Sequence, residues 1–268
     1  MAYETLIIEK RGPVDWVTLN RPERLNAMNP TLIAELADYF GERITDTSVR
    51  IIVLRGAGKG FCAGLDLKNE RQANDSVANA GPAAGMASQR AISEIVMRMR
   101  RCPQPIISLI HGAACGGGFA LALASDIRIA GASARMNCAF IRIGLGGCDI
   151  GSSYFLPRLV GVSIASELIL TGRFIEAPRA LAVGLVSEVV ADDGLEDAVE
   201  PYLEQMLTTS PLGLRLSKEC LNFSIDAPSM ESAIAMEDRN QILCAQTSDF
   251  REGITAFLGK RTPEWSDR

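Results

Sequence analysis

The sequence predicts an α/β fold followed by a helical tail. Two continuous apolar runs, residues 51–54 and 106–110, are typical of strands that are covered on both faces of a parallel sheet. Between these runs, residues 88–101 carry apolar side chains at helical spacing. Strand, helix and strand in this order predict a parallel pair of strands joined by a crossover helix.

Two strands and a capped helix are expected before this unit. Residues 5–9 and 14–19 alternate between apolar and polar side chains, and Gly12-Pro13 between them signals a turn. Asn29 is a good helix cap and Pro30 suits the first helical position. Apolar residues then recur at helical spacing, so we expect an amphipathic helix over residues 30–45.

Further units follow the second apolar run. The pattern predicts a helix over residues 117–124 and strands over residues 127–130 and 183–190. Beyond Pro201 the pattern is helical, with turns at Ser210-Pro211, Ala227-Pro228 and Thr247-Ser248. We therefore expect an α/β core over residues 1–200 and a helical region over residues 201–268. Residues 72–89 are small and polar, which is typical of a surface loop or a poorly packed helix.

Composition and charge exclude several classes of protein. The 268 residues are 47% apolar, enough for a sizeable core, and the net charge of −5 repels nucleic acid and anionic membranes. Seven cysteines without a CxxC pair and a single histidine argue against a zinc site and for a reduced, cytosolic compartment. The N-terminus does not resemble a signal peptide, and we see no apolar run of the roughly 18 residues that predict a membrane span. We expect a soluble, unprocessed protein.

The glycines of this chain do not form a nucleotide-binding loop. Residues 56–60 lack the GxGxxG spacing, and neither GxxxxGK[ST] nor the GxSxG elbow occurs. The single histidine, His111, follows a predicted strand, where we expect a structural role and not that of a general base.

Two glycine-rich segments each follow a predicted strand. They are residues 60–67 (GFCAGLDL) and residues 111–120 (HGAACGGGFA). The second segment places glycines at the start of a helix, where unpaired N–H groups and the helix dipole stabilise negative charge. Together the two segments could hold an oxyanion, but glycine also serves close packing of a helix against a strand. The residues alone leave both interpretations open.

Several spaced motifs, taken together, resemble the crotonase, or enoyl-CoA hydratase/isomerase, superfamily. They are residues 19–28 (LNRPERLNAM), the two glycine segments, residues 170–173 (LTGR), 182–186 (AVGLV) and 256–261 (AFLGKR). The resemblance covers nearly the whole chain. It implies a crotonase-like spiral of ββα units with a C-terminal helical region that forms trimers, often as a dimer of trimers. It also implies a coenzyme A thioester as substrate and no permanently bound cofactor.

The resemblance assigns roles to particular residues. The backbone N–H groups of Leu65 and Gly117 would form the oxyanion hole for the thioester carbonyl. Lys260 would reach the coenzyme of a neighbouring subunit, with Phe257 as its packing partner. The resemblance places four residues at the loop that meets the phosphates and adenine of the coenzyme: Arg24, Leu25, Ala63 and Asp66. Local cations would let an acidic protein bind this ligand, namely Arg24, Lys59, Lys68 and Lys260.

The sequence departs from hydratases of the family at both catalytic glutamates. These positions align with Ala120 and Phe140, which cannot exchange a proton. Asp149 is the next acidic candidate, because relatives that resemble dienoyl-CoA isomerases carry an acid/base aspartate there and dehalogenase-like relatives a nucleophile. An apolar acyl pocket would raise its pKa by desolvation. Alternatively, Asp149 caps the helix that begins near Gly151 or Ser152.

The function that follows is processing of an acyl-CoA through a thioester enolate. We expect movement of a carbon–carbon double bond by Asp149; the alternatives are a hydratase with atypical acid/base groups and a non-catalytic acyl-CoA-binding protein. Glu237 is a weaker candidate, more typical of a solvated helix charge. Cys62, Cys115 and Cys148 are expected to be packing residues. We expect a homotrimer or a dimer of trimers.

Overall fold

A computed structural model of the protein describes residues 3–67 and 81–268. These residues form two compact units. The first contains the described residues up to 102 and residues 106–198, and the second contains residues 103–105 and 199–268. The sequence places the boundary at residue 200 and does not indicate that residues 103–105 belong with the tail. The role of the tail in trimer formation stays a prediction.

The first unit is built on a mainly parallel sheet. In chain order the strands of the described residues are β1 (Leu6–Arg11), β2 (Val14–Leu19), β3 (Ile51–Gly56), β4 (Ile106–Ile110), β5 (Ala113–Cys115), β6 (Ile127–Gly131), β7 (Arg135–Asn137), β8 (Ile175–Glu176) and β9 (Glu188–Val190). Six strands pair in the order β1-β2-β3-β4-β6-β9, and all neighbours except β1 and β2 are parallel. The short strands β5, β7 and β8 form a second sheet. The predicted α/β core is confirmed.

Helices cover the parallel sheet and complete the core. The helices of this part of the chain are α1 (Pro30–Arg43), α2 (Pro82–Arg101), α3 (Gly117–Ala124), α4 (Ser152–Thr171) and α5 (Ala177–Ala182). The predicted cap of α1 is confirmed, because the Asn29 side chain accepts a hydrogen bond from Leu32 N at 2.9 Å. Helix α1 packs against α2, and Phe40 and Ile95 are fully buried. The whole of α3 is buried, as its apolar sequence predicts.

Two predicted elements are corrected by the structure. Only residues 188–190 of the strand expected over 183–190 pair with β6; Gly184 turns the chain at φ +74° before them. The carbonyl of Leu185 is used by a side chain, since it accepts from Arg128 Nε at 2.8 Å. Helix α2 begins at Pro82, six residues earlier than predicted, so residues 82–89 are helical. Residues 72–80 of the expected loop lie outside the described residues.

Contrary to the expectation that no such segment occurs, helix α4 is long and apolar enough to cross a membrane by length and composition alone. Its backbone leaves the helical conformation at Gly161, where φ is +77° and ψ is 160°. Gly161 therefore divides α4 into two segments of about ten residues each. Either segment is shorter than the roughly 20 residues that cross a bilayer. Five of its 20 residues are buried, Leu156 and Leu168 among them, whereas Val162 and Leu170 are exposed.

The remaining chain is helical as far as Gly259, as predicted, whereas residues 260–268 are not helical. Its helices are α6 (Leu195–Leu207), α7 (Pro211–Ser224), α8 (Met230–Ala245) and α9 (Ser248–Gly259). Side-chain oxygens of Ser210, Ser229 and Thr247 cap α7, α8 and α9, which confirms the predicted breaks. Within the second unit, the buried Lys218 donates to the carbonyl of Gln104 at 2.7 Å. This bond ties residues 103–105 to the helices.

Candidate active site

The two glycine segments meet at the carboxyl ends of β3 and β4. Cys62 N donates to Ala113 O at 3.0 Å, and Cys115 N donates to Cys62 O at 2.9 Å. A Cβ atom on Gly118 would lie 2.1 Å from Cys62 O, so no other residue fits there without moving the backbone. The packing interpretation of the glycines therefore holds for Gly118.

Two backbone amides beside the neighbouring glycines have no partner in the described part of the chain. Gly64 has φ +91°, and a Cβ atom there would lie 2.6 Å from Cys115 O and 3.5 Å from Gly117 N. The amide nitrogens of Leu65 and Gly117 donate to no acceptor among the described residues. Gly117 is the first residue of α3, where the helix dipole adds positive potential. The two segments thus present two backbone donors beside each other.

Met28 fixes the position of the first amide. Its N–H donates to Gly64 O at 2.7 Å, and its carbonyl accepts from Asp66 N at 3.0 Å. These two bonds form a parallel bridge opposite Leu65 and leave the Leu65 N–H pointing away from Met28. The donor is therefore held by the backbone and does not depend on a side-chain rotamer.

Both amides border a cavity of about 610 Å³. It is lined mainly by apolar side chains from the segment before α1, from the loop after β3, from α2 and from the segment before α4: Met28, Ala63, Leu65, Leu67, Ile92, Ala139, Phe140, Ile143, Leu145 and Ile150. Ser88, Gln89 and Asp149 are the polar side chains in its described wall. Asp149 alone among them is ionisable. A proton transferred inside this cavity by a described side chain must therefore pass through Asp149.

The Asp149 carboxylate is half-buried and hydrogen-bonded through one oxygen. Its Oδ1 accepts from Gln89 Nε2 at 2.5 Å and from Ile150 N at 2.8 Å. Burial raises the pKa of the carboxyl above its ordinary value of 3.8, and the bonds from Ile150 and Gln89 act in the opposite direction. A raised pKa brings the group closer to the range useful for proton transfer.

The structural alternative for Asp149, a side-chain cap on α4, is wrong. Helix α4 begins at Ser152, its cap position is Gly151, and no side chain caps it. Ser152 N donates to the backbone carbonyl of Asp149 at 2.9 Å, while Ser152 Oγ accepts from Asp149 N at 3.0 Å. The carboxylate takes no part in these bonds. It is therefore available to the cavity.

Ala120 and Phe140, the positions of the two hydratase glutamates, bring no carboxylate to the cavity. Ala120 is fully buried inside α3 and does not line the cavity. The Phe140 ring does line it, and lies 3.4 Å from where a Cβ atom of Gly116 would be. An aromatic ring therefore occupies the wall from which a second carboxylate would act.

A smaller cavity of about 330 Å³ adjoins the first, since Leu65 and Leu67 line both. Arg24, Leu25 and Asp66 also line it, and the Arg24 side chain is exposed. Ala63 N donates to Leu25 O at 2.9 Å, which brings Ala63 to the same loop. The structure thus gathers the four residues that the resemblance places at the coenzyme.

Asp66 does not offer an unpaired carboxylate to this cavity. Its Oδ2 accepts from Arg21 Nη2 at 3.0 Å, and both side chains are largely buried. Asn26 fixes the same loop, because its side-chain amide donates to the carbonyls of Ala57 and Gly60 at 2.8 Å each. The role of Asp66 in the structure is to hold the loop that carries Arg24.

The remaining candidates lie elsewhere or outside the described residues. Phe257 and Lys260 are at the end of α9 in the second unit, where Lys260 ends the helix at φ +51° and the Phe257 side chain is 83% exposed. Glu237 is exposed on α8. Lys59 is exposed near β3, and Lys68 is not among the described residues.

Cys62, Cys115 and His111 occupy structural positions. Burial raises the pKa of the Cys62 thiol to about 12 and that of Cys115 to about 11, so neither is a ready nucleophile. Cys148 is exposed. His111 Nε2 is 2.9 Å from the carbonyl of Gly58. No cluster of three metal-ligating side chains occurs among residues 3–67 and 81–268.

Comparison with known proteins decides the family. A family model described as enoyl-CoA hydratase/isomerase matches residues 9–268. The chain belongs to this family. It is therefore an acyl-CoA enzyme of the hydratase/isomerase type, and the family acts on CoA thioesters without a permanent cofactor.

Named relatives of the family include both hydratases and an isomerase. The chain is 36% identical to 1,2-epoxyphenylacetyl-CoA isomerase of Escherichia coli over 94% of both chains. It is 32% identical to the short-chain-enoyl-CoA hydratase of Clostridium acetobutylicum over 98% of both. The crystal structure of enoyl-CoA hydratase from Bacillus anthracis matches with a TM-score of 0.91 and 32% identity, over 99% of this chain and all of the other. The predicted crotonase-like fold is confirmed.

Sequence analysis missed Gln89 and Arg21 as parts of the site. Gln89 is one turn before the buried Ile92 on α2, and both line the cavity together with Gly85 and Ser88. This spacing of three to four residues places them on one face of the helix. The pattern was available in the sequence, but the partner of Gln89 lies 60 residues further along the chain.

Proposed function

We propose that the protein moves a carbon–carbon double bond within an enoyl-CoA thioester and that Asp149 transfers the proton. One observation carries the proposal: Asp149 is the only ionisable side chain in the described wall of a cavity that also presents two unpaired backbone amides. Ala120 and Phe140, at the hydratase positions, cannot supply the carboxylates of a two-glutamate water addition.

The chemistry needs one base and one oxyanion site. Asp149 removes a proton from the carbon next to the thioester carbonyl, and the electron pair of that C–H bond forms an enolate. The N–H groups of Leu65 and Gly117 hold the enolate oxygen, each contributing on the order of 3 kcal/mol in the transition state. The protonated Asp149 then returns a proton to the far end of the former double bond. One C–H bond breaks and one forms, so no oxidant or water is consumed.

The lining of the cavity supports an apolar acyl group as substrate. Aliphatic and aromatic side chains make up most of the wall, and Ile143 and Leu145 are each about half exposed at its edge. Burying apolar substrate against them stabilises the complex by roughly 25 cal/mol per Å². The phosphates of the coenzyme would meet Arg24, which is exposed and lines the smaller cavity, and Lys59, which is exposed near β3. We further propose a cytosolic trimer or hexamer in which Lys260 serves a neighbouring site.

The 1,2-epoxyphenylacetyl-CoA isomerase relative supports isomerisation, because it shows that a chain 36% identical to this one bears an isomerase name. The hydratase relatives support the second candidate, water addition by atypical groups. In that case the polar pair Gln89 and Asp149 would orient a water in place of two glutamates.

The test is product analysis across a panel of enoyl-CoA thioesters that differ in chain length, ring content and double-bond position. We expect a product of unchanged mass with a shifted double bond, and a loss of at least about a hundredfold in Asp149→Asn. A product heavier by one water would favour the hydratase. Binding without turnover of any thioester would favour a non-catalytic protein.

A further inference from the structure

The two oxygens of Asp149 have different surroundings. Oδ1 accepts both hydrogen bonds, from Gln89 Nε2 at 2.5 Å and from Ile150 N at 2.8 Å. No described residue donates to Oδ2. Hydrogen bonds withdraw electron density from the oxygen that accepts them and stabilise its charge, so the unbonded oxygen is the better proton acceptor.

Two bonds on one oxygen also fix the carboxylate plane. The Ile150 amide is backbone and cannot rotate away, and Gln89 is anchored on α2, on the same face as the buried Ile92. With Oδ1 held from two elements, the side chain loses the rotation about its last bond that an unrestrained aspartate has. Orientation of this kind is a large part of what a catalytic base needs.

No charged group of the described wall competes with these bonds. The other ionisable side chains on the elements around Asp149 do not line the cavity. They are Arg90, Glu94, Arg98, Arg100 and Arg101 on α2, Tyr154, Arg158 and Glu167 on α4, Arg142 in the short helical turn after β7, and Cys148 directly before Asp149. The pKa of Asp149 is set by burial, which raises it, and by Ile150 and Gln89, which lower it. Of these three, only Gln89 can be removed by a side-chain substitution that leaves the carboxylate in place.

We infer that Gln89 is a positioning residue that holds Asp149 by Oδ1, so that Oδ2 is the atom that transfers the proton. The inference rests on the proposed function of Asp149. Gln89 has a second consequence, because its donated bond favours the ionised carboxylate and keeps the base active at lower pH.

The experiment measures the titration of Asp149 without any substrate. The side-chain carboxyl carbons of aspartate are labelled with carbon-13, and the Asp149 signal is assigned by its loss in Asp149→Asn. Gln89→Met keeps the length of the side chain and removes the donor. Gln89→Glu keeps the shape and adds a like charge. Gln241→Met, an exposed position on α8, is the matched control, and thermal unfolding verifies that each variant is folded.

We expect the titration of Asp149 to move upward by roughly one to two pH units in Gln89→Met, because a hydrogen bond to a charged group is lost. Gln89→Glu should move it at least as far, and Gln241→Met should not move it. The acid limb of kcat/KM should shift with the titration. At a pH where Asp149 is ionised in both wild type and Gln89→Met, the variant should still have a kcat about tenfold lower, with KM little changed. The reason is that the carboxylate is no longer oriented.

The outcomes separate this inference from the proposed function. An inactive Asp149→Asn together with an unmoved titration and pH profile in Gln89→Met would overturn the role of Gln89 and leave the function in place. A role in packing alone predicts that pattern, since methionine fills the same space. Full turnover by Asp149→Asn would overturn the proposed function, and the positioning role of Gln89 would fall with it.

Discussion

Gly64 is the residue where an added methyl group, in Gly64→Ala, should push apart the N–H groups of Leu65 and Gly117. Its φ of +91° already disfavours alanine, by about 1–2 kcal/mol of folding free energy. The added Cβ atom would also lie 2.6 Å from Cys115 O, so one backbone segment must move by about 0.8 Å to reach an ordinary contact. Displacement of this size beside Gly117 N should lower kcat about a hundredfold in Gly64→Ala.

Gly184→Ala is the matched control, because Gly184 has φ +74° and no atom within 4 Å of the added Cβ. Both variants should lose similar free energy of unfolding in urea from the backbone strain, with a further loss in Gly64→Ala from the contact. Only Gly64→Ala should lose turnover of the best enoyl-CoA substrate. Near wild-type kcat in Gly64→Ala, or an equal loss in Gly184→Ala, would refute the role given to the paired amides.

Three further predictions follow from single side chains. Arg128 is buried and donates to four carbonyls, Leu185 O at 2.8 Å and Ser125 O at 2.6 Å among them. Arg128→Met removes all of these donors and should cost about 3 kcal/mol in urea unfolding. Asp149 has a raised pKa, so its folded state binds the proton more tightly and stability falls as pH rises from 3.8 through that pKa. Asp149→Asn should therefore gain stability over wild type at neutral pH, and the gain should vanish near or below pH 3.8, as urea unfolding at both pH values would reveal. Lys260→Ala should weaken coenzyme A binding in calorimetry without altering thermal unfolding; unchanged affinity would remove Lys260 from the site.

Local sequence patterns predicted the long elements of the fold well. Strands β2 and β4 and helix α3 have the predicted bounds. The continuous apolar runs of β4 and α3 report burial directly, whereas the alternation of β2 predicted its bounds but not that all six of its residues are buried. Strands β5, β7 and β8 contain only two or three residues each, too few for any periodicity to show. The second sheet could therefore not be predicted from the pattern.

The strand expected over residues 183–190 failed for a tertiary reason. Val183, Leu185 and Val186 are apolar because they are packed, yet Gly184 turns the chain between them. The Leu185 carbonyl pairs with the Arg128 guanidinium and not with a neighbouring strand. Apolar character alone could not distinguish a buried strand that pairs in the sheet from a buried turn that packs against it.

The candidate site was predicted as far as the resemblance assigned positions. Leu65, Gly117 and Asp149 were named from motifs, and the structure brings them to one cavity. The hydrogen bond between Gln89 and Asp149 joins residues 60 positions apart, and the burial that raises the pKa of Asp149 depends on the whole wall. Neither has a local signature in the chain.

The most direct test of the account is turnover in heavy water followed by mass spectrometry, which measures solvent deuterium at the carbon that receives the proton, the far end of the former double bond. Wild type should label this carbon and shift the double bond without adding water, because the half-buried Asp149 exchanges its proton with solvent between turnovers. Asp149→Asn should give no label above the uncatalysed background. Labelling by Asp149→Asn at the wild-type rate, or no label with any acyl chain in wild type, would contradict an enolate formed by Asp149.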